Sequence, residues 1–431
     1  MLKYIKELYY GEDMRVYKTA IIGGGAAGLF AALLLGEQFG EDVIVLEKLN
    51  RVGKKITVTG NGRGNFTNES LSCDNYHSRE GDAEAFVRPA LKAFNNKGVK
   101  GLLAALGALP VTEGGRVYPA SFQASSVLDL IRFKLSSFKV EVLTEFEVYD
   151  IKKEKFYTVT SSDGKQVLAA SVIIAAGGKS QKQFGTDGNG YILAKKLGHH
   201  VTECLPSLVQ LKTDVTSIKT LKGVKQEVLL TLLDGNQPIT CEKGDLLFTE
   251  FGVSGNSVFQ ISTRAVSLRQ PELSVEFLPD FADYEISTAL NKKLESAPYL
   301  QMEDLLTGYV NKQVGKVIVK CAGYEATEKC TKSAVKRVVK VLKDFRLRVT
   351  GTLGFNYSQV TRGGVRITEC DAKTMASLKS SGLYFAGEVL DIDGDCGGYN
   401  LQWAFSSAYL AAWDISKRYG VKKEDFGRFL L

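Results

Sequence analysis

Apolar and polar positions divide the chain into stretches of different period. Residues 20–22 are a short apolar, β-type run, and three glycines, Gly23, Gly24 and Gly25, follow it. From Ala26 the chain becomes rich in Ala and Leu, and residues 43–46 are again wholly apolar, ending at Glu47. This order predicts strand, tight turn, helix and second strand. Residues 140–148 alternate as a strand does, and residues 171–178 predict a short buried strand that ends in small residues. Between Pro206 and Pro279, short alternating runs are separated by turn signals such as Asp234-Gly235-Asn236, which predicts a small antiparallel unit. After Asp280 the pattern turns helical. Within residues 333–343, Val335, Val338, Val339 and Leu342 recur at i, i+3, i+4 and i+7, leaving Lys336, Arg337, Lys340 and Lys343 largely off that face. Near the end, residues 383–385 predict a strand, and glycine-rich backbone then leads into a helix beginning near Leu401.

Composition narrows the class. The chain has 431 residues, 44% apolar and 24% charged, enough for two or three domains with cores of their own. Glycine is the outlier: 43 residues, about a tenth of the chain where roughly 7% is usual. Seven cysteines without a CxxC pair and three histidines (His77, His199, His200) indicate neither a zinc site nor a disulfide framework, and no metal is expected. Unpaired cysteines and the absence of a signal-peptide pattern predict a cytoplasmic protein. The uncharged residues 19–36 are only marginally long enough to cross a bilayer, and three glycines would weaken a helix there, so no membrane association is expected. Residues 1–13 precede a second Met, Met14, and read as an extension or a misplaced start.

The glycine turn carries chemistry. Gly23-x-Gly25-x-x-Gly28 lies between a strand and a helix, the position of a dinucleotide fingerprint: Gly23 permits the tight turn, Gly25 lets backbone approach a pyrophosphate, and Gly28 lets helix pack on strand. Ala26 and Ala27 open the helix whose amides face the phosphates. Glu47, 19 residues beyond Gly28, can accept hydrogen bonds from the adenosine ribose. This unit recognises the ADP half shared by FAD and NAD.

Three further segments favour FAD. In residues 53–68, Gly60, Gly62 and Gly64 alternate with Asn61, Arg63 and Asn65, as backbone laid against a flat cofactor would, with Lys54, Lys55 and Arg63 available to neutralise phosphate. Residues 171–178, with Ala176 and Gly177, suit a strand returning beneath the dinucleotide, and Val148 can present backbone to the adenine. In residues 383–403, Gly387 and Glu388 precede Gly398, Asn400 and Leu401; Glu388 can hold ribityl hydroxyls, and the helix start aims amides at the pyrimidine edge of a flavin.

Six motifs together resemble a known family: GKKITVTGNGRGNFTN (53–68), GRVYPAS (115–121), GTDGNGYILAKKLGH (185–199), PSLVQL (206–211), GDLLFTEFGVSG (244–255) and FAGEVLDIDGDCGGYNLQWAFSS (385–407). The chain resembles the FAD-dependent oxidoreductases grouped with the bile-acid-inducible reductase BaiN and with aminoacetone oxidase. The resemblance implies an α/β fold in which a Rossmann-like FAD-binding domain is assembled from both chain ends (15–204 and 346–431), with a β-rich insert (205–280), a helical insert (281–345) and an N-terminal extension (1–14). It also implies flavin contacts at Glu47, Lys54, Lys55, Gly60, Asn65, Val148, Gly177, Glu388, Asn400 and Leu401; Lys48, next to Glu47, is a further candidate contact. Two departures stand out. Relatives commonly carry GRCN, whereas Gly64 stands here and is expected to leave added room. Phe122-Gln123-Ala124 places an aromatic where relatives have a polar residue.

A flavin transfers hydride, and the protein binds and orients it. Arg116, Tyr118 and Tyr399 are the candidates to polarise a carbonyl or supply a proton. The leading expectation is a reductase, using NADH or NADPH as a transient reductant, of a C=C bond conjugated to a carbonyl in a bile-acid or steroid-like substrate. The alternative is an O2-using oxidase of a small amine such as aminoacetone. The charge pattern bears on a third reading, an RNA-binding flavoprotein. Residues 311–348 hold eleven Lys and Arg against three Asp and Glu, a local surplus of eight that exceeds the +7 of the whole chain. No aromatic-interleaved RNA motif accompanies it, so a small, anionic substrate is expected rather than nucleic acid.

Overall fold

The computed structural model describes residues 15–430; the extension expected at 1–14 lies outside the described residues. The chain divides into two compact units, one made of residues up to 205 together with 360 onward, the other of residues 206–359.

The first unit is built on a sheet whose apolar strands are covered on both faces, the pattern of a parallel α/β layer. β1 (Val16–Ile22) is central. It leads into α1 (Ala26–Phe39), then β2 (Val43–Leu46) beside β1, with Ile22 opposite Leu46. β3 (Glu141–Leu143) pairs with the far edge of β2. β4 (Val148–Lys153), β5 (Tyr157–Ser161) and β6 (Gln166–Ile174) form a meander, and β6 pairs in parallel with β1. Residues 140–148 are therefore not one strand: Glu145 takes a left-handed conformation (φ 57°), and the chain turns between β3 and β4. The late strand Leu383–Phe385 pairs in parallel with β6, so the two chain ends share one sheet. Ten of the fourteen residues of α1 are buried, and Phe30 meets Phe405 edge-on at 5.4 Å, which accounts for the absence of a polar face on this helix.

The second unit is a closed six-stranded barrel with helices. Its strands are β7 (Leu211–Thr213), β8 (Lys225–Asp234), β9 (Gln237–Phe248), β10 (Gly252–Ser254), β11 (Pro271–Phe277) and β12 (Phe345–Thr352), joined in the order β7-β10-β9-β8-β11-β12. The hairpin at Asp234-Gly235-Asn236 links β8 to β9 as the turn signal predicts. Closing the ring leaves no open edge, and it needs β12, which pairs with both β7 and β11. The boundary expected at 346 is thereby corrected. Residues 346–359 belong to the barrel unit, and the first unit resumes at 360. The β-rich and helical inserts are likewise one unit with one core, in which α2 (Asn256–Ala265), α3 (Asp283–Ser296), α4 (Lys312–Cys321) and α5 (Lys332–Lys343) pack with the barrel. α5 starts where Thr331 caps it by accepting from the Ala334 amide. It buries Val335, Val338, Val339 and Leu342, while Lys336, Arg337 and Lys340 are exposed.

Candidate cofactor and active site

At the first glycine turn, packing and open space divide the work. A Cβ on Gly28 would lie 1.9 Å from the Gly23 carbonyl oxygen, so helix and strand approach this closely only with glycine there. A Cβ on Gly25 would meet nothing within 4 Å, and no side chain caps α1. The amides of its first turn, at Ala26 and Ala27, have no side-chain cap, an arrangement that fits a phosphate. Glu47, buried at the end of β2, accepts 2.8 Å hydrogen bonds from the amides of Gly24 and Leu49, which fix the turn and the carboxylate together. Ala176 and Gly177 follow β6 and are half-buried. Lys48 is held by Asp187 at 2.7 Å, and the Val148 carbonyl already accepts from the Asn189 side chain at 2.8 Å.

The second half of the site joins residues from opposite ends of the chain. Lys55, beside half-buried Lys54, donates to Glu388 at 2.9 Å, and the other Glu388 oxygen accepts from the Thr361 amide at 2.8 Å. Gly387 is anchored through both backbone groups: its carbonyl accepts from the Trp403 indole and its amide donates to Ser407. Both side chains lie on α6 (Tyr399–Arg418), which therefore positions Glu388. No side chain caps α6 at Gly398. Instead the Asn65 side-chain oxygen, buried and without a hydrogen-bond partner, lies 2.8 Å from where a Gly398 Cβ would be. An orphaned buried acceptor beside uncapped helix amides fits a ring edge carrying both donors and acceptors, as the flavin pyrimidine does. The Asn400 side chain is engaged by Gly394, leaving its backbone and that of Leu401 on the first helical turn.

Two expectations for residues 53–68 are corrected. Ile56–Gly62 winds in tight turns, with exposed Gly60 and Asn61 left-handed and Gly62 also at positive φ. Arg63 is not directed as a phosphate ligand, because its guanidinium pairs with Glu113 and lies 4.5 Å from the ring centres of both Tyr118 and Phe122. Gly64 leaves no added room either. A Cβ there would come 2.8 Å from the Phe66 ring and 3.0 Å from Ala124 Cα, so this space is filled by neighbours.

The candidate catalytic groups separate into two sets. Arg116 and Tyr118 share one face of the short strand Arg116–Pro119. Tyr399 opens α6, and its hydroxyl donates to the Ser70 carbonyl at 3.3 Å. Burial pushes the Tyr399 phenol up, Asp395 adds to the shift and Arg116 opposes it, so the phenol is a proton-bearing group with a cation nearby. Tyr118, by contrast, is buried against Arg63 and Phe122, its ring centre 5.6 Å from that of Phe122. Phe122 is itself unusual: its ring is exposed and its φ is +49°, a conformation that costs an L-residue roughly 1–2 kcal/mol.

The match to the family model HI0933-like protein Rossmann domain covers residues 17–414. The chain belongs to that family. It is 36% identical to the 3-dehydro-bile acid delta(4,6)-reductase of Clostridium scindens over 93% of this chain and 99% of the relative. It is 32% identical to the ribosomal RNA dihydrouridine synthase of Haemophilus influenzae, over 93% of this chain and 99% of the relative. The enzyme of the same name from Escherichia coli is 29% identical, over 93% and 98%.

In this HI0933-like chain, the structure also brings forward residues to which sequence reasoning assigned no role. His77 Nε2 lies 2.8 Å from Asp395, which also accepts from Asn75. Asp391 is buried, and burial pushes its carboxyl up even though it accepts from the amides of Arg79 and Glu80 and from Ser78. The acidic run at 391–395 was visible in the sequence; its partners at 75–80 were not. Among the described residues no cluster of His, Cys, Asp and Glu could hold a metal ion, and no helix is long and apolar enough to cross a membrane.

Proposed function

We propose that this HI0933-like chain is an FAD-dependent oxidoreductase that reduces a C=C bond conjugated to a carbonyl. The observation that carries the cofactor reading is the orphaned Asn65 oxygen beside the uncapped start of α6. Bound FAD supplies the hydride, after reduction by NADH or NADPH. The chain does the rest. Amides of the Gly23–Gly28 turn hold pyrophosphate, Glu47 the adenosine ribose, Lys55 and Glu388 the ribityl region, and Asn65 with α6 the pyrimidine edge. Arg116 polarises the substrate carbonyl so that the β-carbon accepts hydride, and the Tyr399 phenol delivers the proton to the α-carbon.

The names of the relatives support this reaction class. A 3-dehydro bile acid with delta(4,6) unsaturation and the uracil ring of uridine both carry a C=C bond conjugated to a carbonyl. A steroid-like enone is the first reading, from the relative at 36% identity. A uridine in RNA is the second, favoured by the two relatives named for ribosomal RNA and by the exposed basic face of α5. The visible spectrum of the purified protein tests the cofactor: a colourless protein that takes up no FAD sinks the proposal. Stopped-flow then separates the substrates. Bleaching by NADH or NADPH, with recovery of colour on adding a steroid dienone or a uridine-containing RNA, supports the reductase. Bleaching by aminoacetone with fast peroxide formation supports an oxidase instead.

A further inference from the structure

Arg63, Tyr118 and Phe122 form a cluster that neither cofactor binding nor the proposed proton transfer uses. The guanidinium of Arg63 lies 4.5 Å from both ring centres, and Glu113 fixes it from the side. Tyr118 is buried, while Phe122 and Arg63 present surface to solvent, with Phe122 37% exposed. The cluster lies beside the candidate site, with Gly60 between them. Gly60 is the link: a Cβ on it would lie 3.1 Å from Asn65 Cβ and 3.5 Å from the Tyr118 ring. Phe122 packs on Tyr118 and Arg63 yet keeps 37% of its surface open to solvent, and its left-handed backbone is strained, a combination found where a side chain is held in place for use.

We infer that Phe122 and Arg63, supported from beneath by Tyr118, are a stacking platform for a planar base, and that Phe122 is a specificity-determining residue. This rests on the second reading above, in which the substrate is uridine in RNA, and it names how that substrate is recognised. A base is flat and presents a π-face that stacks on phenylalanine and on guanidinium alike. A steroid skeleton is puckered and carries axial hydrogens and methyl groups, so it gains less from such a surface. The platform thus favours an unpaired base of the substrate RNA over a steroid ring.

The experiment measures binding of a fluorescent single-stranded RNA containing one uridine, and of the same RNA with that position abasic, to the FAD-loaded protein by anisotropy. Wild type is expected to bind the base-containing RNA about ten- to a hundred-fold more tightly, the range of one stacked base. Phe122→Gly is expected to abolish that difference, and Phe122→Tyr to restore it. Glycine relieves the left-handed backbone but gives up the ring's packing on Tyr118 and Arg63, so Phe122→Gly is assayed well below its measured Tm with its FAD retained, and loss of preference in that folded protein cannot be assigned to unfolding. Equal binding of the two RNAs by wild type, or an unchanged preference in Phe122→Gly, overturns the platform. The reductase reading fails separately: a base preference that depends on Phe122 while no RNA or enone reoxidises the reduced flavin leaves the platform standing and removes the reaction.

Discussion

Single carboxylates carry much of what the site and its surroundings depend on. Glu47 is buried and satisfied by two backbone amides, so Glu47→Ala removes two charge-assisted hydrogen bonds and leaves both amides unpaired. The expected loss is about 2–3 kcal/mol of stability, read from denaturant titration of the FAD-free protein, together with loss of yellow colour on purification. Glu369 makes a pH prediction. Burial opposes its ionisation, but hydrogen bonds from Lys379 and His200 prevail and lower its pKa to about 2. A folded pKa below the unfolded value of 4.5 means that the stabilisation is complete above about pH 5 and is lost as pH falls toward 2. Tm measured from pH 6 to pH 3 is expected to fall less steeply in Glu369→Gln than in wild type, the difference corresponding to about 2 kcal/mol.

At the scale of elements, two helix starts with opposite chemistry make a useful contrast. α5 is capped by Thr331, and Thr331→Ala is expected to cost about 1 kcal/mol of barrel-unit stability without touching FAD affinity. α6 starts uncapped at Gly398 (φ 102°), where a Cβ would lie 2.6 Å from the Thr67 carbonyl oxygen. Gly398→Ala is expected to weaken FAD binding at least tenfold, measured by fluorescence quenching of added FAD. These elements also show what a linear reading reaches. The β1-α1-β2 unit was legible because its period, its glycines and the offset of Glu47 all lie within some thirty residues. The helical face of α5 was legible for the same reason. The break at Glu145 was not, because alternation continues through it. The place of β12 was not, because its ring partner β7 lies more than 130 residues earlier. In the site, Glu47 and Glu388 could be named individually, but the pairing of Lys55 with Glu388 spans 333 positions, and the meeting of Asn65 with Gly398 spans as many. Arg63 was misdirected because nothing local announces Glu113 or the two rings that receive it.

For the whole molecule, every proposed cofactor contact falls within the first unit, and the second has its own closed barrel and core. Calorimetry of the protein stripped of FAD and then reloaded is therefore expected to shift only the transition of the first unit, by about 2.7 kcal/mol at a hundredfold excess of FAD over its Kd. A trace in which all heat absorption moves together would count against this independence, and an unshifted one against FAD binding.

The first unit's division between the two ends of the chain has a consequence for synthesis. A ribosome releases residues 206–359 as one uninterrupted stretch, and the barrel ring can close as soon as β12 emerges. The sheet that received its first strands at the outset is still missing Leu383–Phe385, and the wall opposite Asn65 does not exist until Gly398 and α6 have left the exit tunnel. With the flavin held as proposed, cofactor capture is among the last events in the making of this protein. A nascent chain stopped before residue 398 carries a finished barrel and the entire first glycine turn, yet lacks the helix start proposed to face a flavin ring.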